Sequence, residues 1–270
     1  MATEFDEFER VMWAGQATAY ERVFARCAAY TAASLLDTAH VTAGTEVLDV
    51  GTGPGTVADL ARRRDARVWA VDADAEMVAT AARNLPGLDV RQALLPNLPF
   101  RDAAFDAVVG NFVINHVGEP DVALAELRRV LRRGGRLALT CWPRPDGTTS
   151  RGHAVVNDAM EKAGVVWPGD VPTMPFNEYG DPGEFAALVS AAGFADVKVD
   201  EVAWNHVVDP EDWWSGPMAG VGSTGYVLTR QSPEMIARVR AEYDKITATF
   251  AAADGRMALP VRALLAHATR

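Results

Sequence analysis

The chain has 270 residues, of which 49% are hydrophobic, so it is long enough and apolar enough to bury a sizeable core. Its 36 acidic and 26 basic residues give a formal net charge of -10, which argues against a protein whose main task is to grip a phosphate backbone. With only two cysteines, the chain has no disulfide framework, and no cysteine and histidine cluster indicates a metal site.

The N-terminus is acidic and lacks the apolar segment of a signal peptide. No apolar run reaches the roughly 18 residues that a membrane-spanning helix needs. We therefore expect a cytoplasmic protein whose partner is a small-molecule substrate, with neither nucleic acid nor membrane as a partner. The sequence leaves the oligomeric state open.

The first elements along the chain are helical. Residues 17–40 are rich in alanine, and their apolar residues recur at helical spacing. The pattern predicts one or two helices that end before Gly44.

Strands and helices then alternate from residue 45 to residue 142. Apolar runs predict strands at 46–50, 68–71, 88–92, 105–110 and 136–142. Helical patterns cover 56–63 and 75–84, and a third helix begins near Pro120 and is closed by Gly134. This alternation is typical of βαβ units on a parallel sheet, and continuous apolar runs fit strands that are buried on both faces.

The rhythm breaks after Trp142. Further helices are predicted at 152–164, 181–193 and 233–252, and further strands at 196–202 and 261–268. Residues 204–231 form a predicted insertion rich in tryptophan and glycine, and Pro260 stands at the entrance of the last strand.

A glycine-rich segment, Asp49-Val50-Gly51-Thr52-Gly53-Pro54-Gly55, joins the first predicted strand to the following helix. Glycines at such a turn let the backbone fold tightly and let a ligand approach closely. A second acid, Asp72, ends the next strand nineteen residues after Gly53. A carboxylate there suits the two hydroxyls of a ribose.

The spacing and charge of this turn distinguish between nucleoside ligands. Dinucleotide sites carry G-x-G-x-x-G and place a pyrophosphate at the helix N-terminus. Here the pattern is G-x-G-x-G, and Asp49 would repel a pyrophosphate. S-adenosylmethionine has a ribose, an ammonium, a sulfonium and no phosphate, so it is favoured. A nicotinamide or flavin site and a turn that only packs tightly remain as alternatives.

At this point the sequence resembles the class I S-adenosylmethionine-dependent methyltransferases, especially their small-molecule branch. The resemblance covers residues 17–142 well and the remainder loosely. It rests on residues 47–55, Val71-Asp72 with Met77, Leu98-Pro99-Phe100 with Phe105-Asp106, residues 131–137 and Ala192-Gly193-Phe194.

The resemblance implies an α/β fold, a Rossmann-like seven-stranded, mostly parallel sheet with an antiparallel last strand and a helical lid. It implies one methyltransferase domain over residues 1–270. Within it, residues 1–44 form an N-terminal helical cap, 45–142 the cofactor-binding core, and 143–270 the lid, the substrate region and the last two strands.

The resemblance also implies roles for single residues. Asp49 supports the cofactor ammonium and Asp72 holds the ribose. The methionine end is lined by Gly51, Thr52, Gly53 and Gly55. The adenine lies beside Ala73 and Met77. The family usually has an Asp at the position of Leu94, so adenine recognition must depend on the backbone of Leu94 and Leu95. Asn111 meets the cofactor through its backbone, and Trp13 and Tyr20 belong to a segment that folds over the core.

Methyl transfer from a sulfonium is an in-line displacement that needs alignment and exclusion of water, without a metal. Histidine is the usual general base near neutral pH. His116 follows the fourth strand and His153 lies in the lid, so both are candidates; a helix-capping role is the alternative for His116. We expect His206 and His267 to be structural or exposed.

Aromatic and apolar residues outside the core indicate an apolar or aromatic acceptor that is methylated on O, N or C. The predicted pocket residues are Trp13, Trp142, Met174, Phe176, Trp213 and Trp214, with core packing as the alternative for each. A nucleic-acid base is less favoured, because residues 111–114 read Asn-Phe-Val-Ile and lack the Pro-Pro pair common in amino-methylating enzymes. Two other functions stay open: a cofactor-binding protein without catalysis, and an NAD-dependent oxidoreductase.

Overall fold

The computed structural model describes residues 3–144, 152 and 154–270 and contains a seven-stranded sheet. The strands are Glu46–Val50 (β1), Arg67–Asp72 (β2), Asp89–Gln92 (β3), Phe105–Asn111 (β4), Leu131–Cys141 (β5), Ala195–Val208 (β6) and Met257–Thr269 (β7). Their order is β3-β2-β1-β4-β5-β7-β6. β7 runs antiparallel to both of its neighbours, β5 and β6, and all other pairings among these strands are parallel. The predicted fold class is confirmed.

Helices cover both faces of the sheet and form the lid. They are Glu4–Trp13 (α1), Ala17–Arg22 (α2), Phe24–Ala28 (α3), Ala32–Thr38 (α4), Thr56–Arg62 (α5), Ala75–Asn84 (α6), Pro120–Val130 (α7), Ala154–Ala163 (α8), Pro182–Ala191 (α9), Pro210–Met218 (α10), Gly222–Leu228 (α11) and Pro233–Ala248 (α12). Side-chain caps begin several of them: Thr3 and Asp6 form a capping box on α1, and Asp74 accepts from the first turn of α6.

Three large apolar clusters hold the fold together. One packs α7 and α9 on one face of the sheet, and a second packs α4 and α5 on the other face. The third joins α3, α8, α10, α11 and α12 into the lid. Strand alternation places Asp49, Asn111 and Thr140 on the α4–α5 face, because Val47, Val109 and Ala138 two residues earlier belong to that cluster. This face carries the candidate site at the C-terminal ends of the strands.

The structure corrects three boundary predictions. Helix α7 ends at Val130, and Gly134 lies inside β5, where its N–H donates to the carbonyl of Arg270 in a pairing with the end of β7. Strand β6 extends to Val208, so Trp204 and His206 belong to a strand and the insertion begins after it. Pro260 lies within β7 and not at its entrance. It is tolerated because β5 pairs only with residues 264–269, which leaves one side of Pro260 without a strand.

Candidate active site

The glycine-rich turn after β1 has the backbone that its composition predicts. Gly51, Gly53 and Gly55 all have positive φ angles, of 66°, 54° and 96°, and Gly55 is the residue before α5. A Cβ at Gly51 would lie 2.5 Å from the side chain of Val113, whereas a Cβ at Gly53 would meet only Tyr20 at 3.6 Å. Gly51 is therefore required for close approach as well as for backbone conformation.

This difference gives a matched test of the turn. Gly51→Ala should lower the free energy of unfolding by about 1–3 kcal/mol more than Gly53→Ala, because only the first adds steric overlap to the φ strain. Urea unfolding measures both variants. In a double-mutant cycle, Val113→Gly should recover most of the extra loss at Gly51 and none of the loss at Gly53. Equal losses in the two alanine variants would show that contact with Val113 does not limit the turn.

Asp49 is a buried carboxylate at the base of this turn. Its side chain is 1% exposed, and its Oδ2 accepts a hydrogen bond of 2.7 Å from the Thr52 hydroxyl. Its Oδ1 has no hydrogen-bond partner among the described residues. Burial raises the pKa of Asp49 to about 7, although hydrogen bonds from the Thr52 hydroxyl and from the backbone N–H of Ala58 lower it. An orphaned buried oxygen of this kind fits a cationic ligand group.

Asp72, at the end of β2, holds the turn from the other side. Its Oδ2 accepts from the N–H of Gly53 at 2.8 Å, and its Oδ1 accepts from the N–H of Asp74 at 3.0 Å. Burial raises its pKa to about 6, although these backbone hydrogen bonds lower it. Each oxygen retains a further lone pair, so Asp72 can still accept from a ligand hydroxyl.

A narrow cleft of about 20 Å³ lies against the turn. Its lining includes six residues predicted for the cofactor or its cover: Tyr20, Asp49, Gly51, Thr52, Gly53 and Asn111. Sequence reasoning missed the rest of the lining: Ala25, Ala28, Ala29, Pro54, Thr56 and Val57. The alanines belong to α3 and the turn after it and carry no chemical signal in the sequence, so only their position identifies them.

Six other predicted cofactor residues lie outside this lining in the part of the chain that the structure describes, and Asp72 is one of them. Gly55 precedes α5, and the carbonyl of Ala73 accepts from the Gln92 side chain at 3.0 Å. Met77 is buried in the first turn of α6. Leu94 is exposed, whereas Leu95 is buried in the core cluster that includes Val50 and Val71.

The side chain of Asn111 ties the N-terminal segment to the sheet. Its Oδ1 accepts from the hydroxyls of Thr31 and Thr140 at 2.7 and 2.6 Å, and its Nδ2 donates to the carbonyl of Ala28 at 3.0 Å. The predicted cofactor contact of Asn111 is through its backbone, so this use of the side chain does not conflict with it. The network holds the residues after α3 over the cleft.

His116 lies in a polar and aromatic cluster after β4. Its Nδ1 is 2.7 Å from Oε2 of Glu9, which is 7% exposed and also accepts from the indole N–H of Trp13 at 2.9 Å. The ring of Trp13 packs edge-on against His116 and Tyr20, with centroid distances of 5.4 Å in both pairs. Tyr20 lines the cleft, so Trp13 connects His116 to it. No pattern in the sequence distinguishes Glu9, which is one of several acids on α1.

His153, the second histidine predicted as a base, lies outside the described residues. His206 was expected to be structural or exposed, and it is 4% exposed within β6. Neither of its ring nitrogens has a hydrogen-bond partner among the described residues. Burial lowers the pKa of His206 to about 4, so its imidazole is neutral near pH 7.

Of the residues predicted for the substrate pocket, some lie next to the cleft and others lie in the cores. Trp142 follows β5 and stacks on Phe112 with a centroid distance of 4.0 Å, next to Ala28 of the cleft lining. By contrast, Trp213 and Trp214 are buried in the lid cluster, and Phe176 is buried in the α7–α9 cluster, against which Met174 packs. These four side chains fill cores, because their apolar area is covered by neighbouring helices. None of them belongs to the lining of the cleft beside the glycine turn.

A wider hollow of about 320 Å³ lies between α10 and α12, away from the glycine turn. Arg240 in its lining pairs with Glu211 and with Asp244. No predicted site residue lines it, so its size does not make it the active site.

The described residues contain no group of three or more His, Cys, Asp or Glu side chains placed to hold a metal ion. Cys27 and Cys141 are buried free thiols. None of the described helices combines the length and the apolar character that crossing a membrane requires.

Known proteins share this fold and its central segment. Residues 48–139 match the family model described as a methyltransferase domain. The ubiquinone/menaquinone biosynthesis C-methyltransferase UbiE of Rubrivivax gelatinosus is 28% identical over 211 residues, covering 76% of this chain and 80% of that protein. The demethylmenaquinone methyltransferase of Paenarthrobacter aurescens is 30% identical over 145 residues, covering 54% and 53% of the two chains.

Among solved structures, the YcgJ protein of Bacillus subtilis superposes with a TM-score of 0.55 at 21% identity, covering 89% of this chain and 98% of that one. This likeness concerns the fold. Apart from UbiE, the alignments cover between 32% and 56% of the curated relatives that match most clearly. The segment matched by the family model carries the glycine turn.

Proposed function

We propose that this chain is a class I S-adenosylmethionine-dependent methyltransferase and that it transfers the methyl group of S-adenosylmethionine to a small apolar or aromatic acceptor. The observation that carries this proposal is the orphaned Oδ1 of Asp49 within the glycine turn. A buried carboxylate with a free oxygen suits an ammonium and disfavours a phosphate. We propose that cap, core and lid act as one domain.

In this proposal Asp49 binds the ammonium and the glycine turn receives the methionine end. Asp72 accepts from the ribose hydroxyls while it still holds the N–H of Gly53. Ala73, Met77, Leu94 and Leu95 form the adenine side. When bound, the cofactor supplies an electrophilic methyl carbon on a sulfonium.

Cofactor entry requires the N-terminal segment to move. The cleft of about 20 Å³ has room for about one water molecule. Tyr20 and residues 25–29 cover it, and the hydrogen bonds of Asn111 to Thr31 and Ala28 hold that cover in place. We propose that this cover opens for binding and then closes, which excludes water from the reacting atoms.

The acceptor is proposed to be a small molecule with an aromatic or apolar body. Two similar proteins are named for quinone biosynthesis, which supports testing phenol-like rings first. His116 is the candidate proton acceptor for a hydroxyl or amine, oriented by Glu9. The acceptor atom is open to O, N or C.

The proposal is tested by binding followed by turnover. Calorimetry should detect S-adenosylhomocysteine binding, whereas NADH should not bind measurably. Incubation with S-adenosylmethionine and a panel of phenols, hydroquinones and aromatic amines should then release S-adenosylhomocysteine with at least one of them. Binding of NADH without S-adenosylhomocysteine would overturn the cofactor assignment. Cofactor binding with no turnover across the panel would favour the non-catalytic function.

A further inference from the structure

His206 is a buried polar residue that the proposed mechanism does not use. Its side chain is 4% exposed, and neither of its ring nitrogens has a hydrogen-bond partner among the described residues. A buried polar group without a hydrogen bond is costly and uncommon in folded proteins. A neutral imidazole presents one N–H donor and one nitrogen acceptor, so it can bind a hydroxyl or a carbonyl.

Aromatic rings surround this histidine. Tyr30 lies edge-on to it at a centroid distance of 6.1 Å, and Trp213 lies at 5.0 Å. Two residues earlier on the same face of β6, Trp204 is stacked with Tyr30 at 5.7 Å and an interplanar angle of 12°. Trp142 is 6.5 Å from Trp204. We name Tyr30, Phe112, Trp142 and Trp204 the aromatic wall.

The aromatic wall begins where the cofactor cleft ends. Ala29 and Asn111 line the cleft, and the next residues in the chain, Tyr30 and Phe112, belong to the wall. Ala28 also lines the cleft and packs in a cluster with Phe112. Phe112 has a φ angle of 56°, an unfavourable conformation for a residue with a side chain, and its ring is held in the stack on Trp142.

The stacking of Tyr30 indicates what kind of group the face of Trp204 binds. Tyr30 is 49% exposed although its ring lies parallel to the indole of Trp204. Tyr30 lies outside the lining of the cofactor cleft, so a rotation of its side chain can free the face of Trp204 while the cleft stays covered. A planar ring of similar size would then find the same stacking surface, with His206 at its edge.

We propose that the aromatic wall and His206 form the binding site for the body of the methyl acceptor, a planar aromatic molecule with a hydroxyl or carbonyl group that hydrogen-bonds to His206. This inference rests on the proposed function and names the substrate class of the same site. His206 is a positioning residue for the acceptor, whereas His116 remains the candidate proton acceptor.

The test uses the full chain saturated with S-adenosylhomocysteine and two ring probes of similar shape. By fluorescence titration, 2-naphthol should bind about fivefold to tenfold more tightly than 2-methylnaphthalene, because only 2-naphthol has a hydroxyl for His206. His206→Phe should abolish this preference, and His206→Gln should keep part of it. Trp204→Leu should weaken both probes. His267→Gln, on the neighbouring strand, should leave the preference unchanged.

Several outcomes would overturn the inference. They are equal affinity of the two probes in the wild type, a preference that persists in His206→Phe, and tighter binding of a naphthylmethylammonium cation than of 2-naphthol. Binding of S-adenosylhomocysteine, measured on each variant beforehand, shows that the variant is folded. If the wild type binds S-adenosylhomocysteine but shows no preference for 2-naphthol, this inference fails alone. If the wild type does not bind S-adenosylhomocysteine, the proposed function fails.

Discussion

Asp49→Asn should weaken S-adenosylmethionine binding by about 10- to 100-fold near pH 7.5, because a hydrogen bond between charged groups contributes about 1.5–3 kcal/mol. The substitution removes the carboxylate whose Oδ1 is orphaned, and it preserves the shape of the side chain next to Thr52. Calorimetric titration measures the effect. Asp59→Asn is the matched control, since Asp59 faces solvent on α5 and pairs with Arg63; its affinity should change less than twofold.

In the absence of cofactor, Asp49→Asn should have a higher free energy of unfolding than the wild type, and the difference between the two should depend on pH. The pKa of Asp49 is raised to about 7 in the folded chain from 3.8, so the folded state holds a proton that the unfolded state has lost. Wild-type stability therefore falls as pH rises from about 4 through about 7. Asp49→Asn should show a smaller fall and match the wild type only below about pH 4, where Asp49 is protonated in both states.

Cofactor affinity should change in the opposite direction with pH. Binding of the ammonium needs ionised Asp49, and the pKa of Asp72 is also raised, to about 6. Protonation of Asp49 alone should lower the affinity of the wild type by about 25-fold between about pH 7.5 and about pH 5.5, and protonation of Asp72 should add about fourfold. The decrease should be smaller in Asp49→Asn. An affinity that is unchanged in this variant within twofold would exclude Asp49 as the ammonium partner.

His116→Gln should lower kcat by about a hundredfold with an acceptor found in the panel above, which is the usual contribution of a positioned general base. Affinity for S-adenosylhomocysteine should stay within twofold of the wild type. Glu9→Gln should have a smaller effect in the same direction, because Glu9 acts only through the orientation of the His116 ring. Steady-state kinetics at saturating cofactor measure both variants, with His267→Gln as the control.

Chemical rescue separates a proton acceptor from a structural residue. His116→Gly leaves a space beside Trp13 and Glu9 that free imidazole can enter. Added imidazole should restore part of the lost kcat in this variant and have no effect on Asp49→Asn. A rate in His116→Gln within threefold of the wild type would show that methyl transfer uses no base at this position.

Local signals predicted the cofactor half of the molecule well. Strand 46–50 and helix 75–84 were placed with the bounds of β1 and α6, because a short apolar run before glycines and a helix of good formers are legible without tertiary contacts. Strand β6 was predicted only to residue 202. Beyond that point it pairs with residues 257–262 of β7, which lie 49 to 59 positions away in the chain, so its length depends on a distant segment.

The environment of His206 could not be predicted from the sequence. His206 was expected to be structural or exposed because one histidine in an alternating strand carries no signal of its own. The register of β6 on β7 sets it opposite Leu259 and turns it to the face that also carries Asn111. Its missing hydrogen bonds and its aromatic neighbours follow from that register and from α3 and α10, which no local pattern encodes.

The sequence by itself determined the α/β class, the glycine turn and the two acids that suit a cationic nucleoside, since periodicity, φ preference and charge act over a few residues. The tertiary structure decided which side chains meet. Only long-range packing brings Glu9 to His116 across 107 positions and sets Tyr30 against Trp204. It also moved Trp213, Trp214 and Phe176 from the expected pocket into cores, because burial depends on the neighbours that the fold supplies.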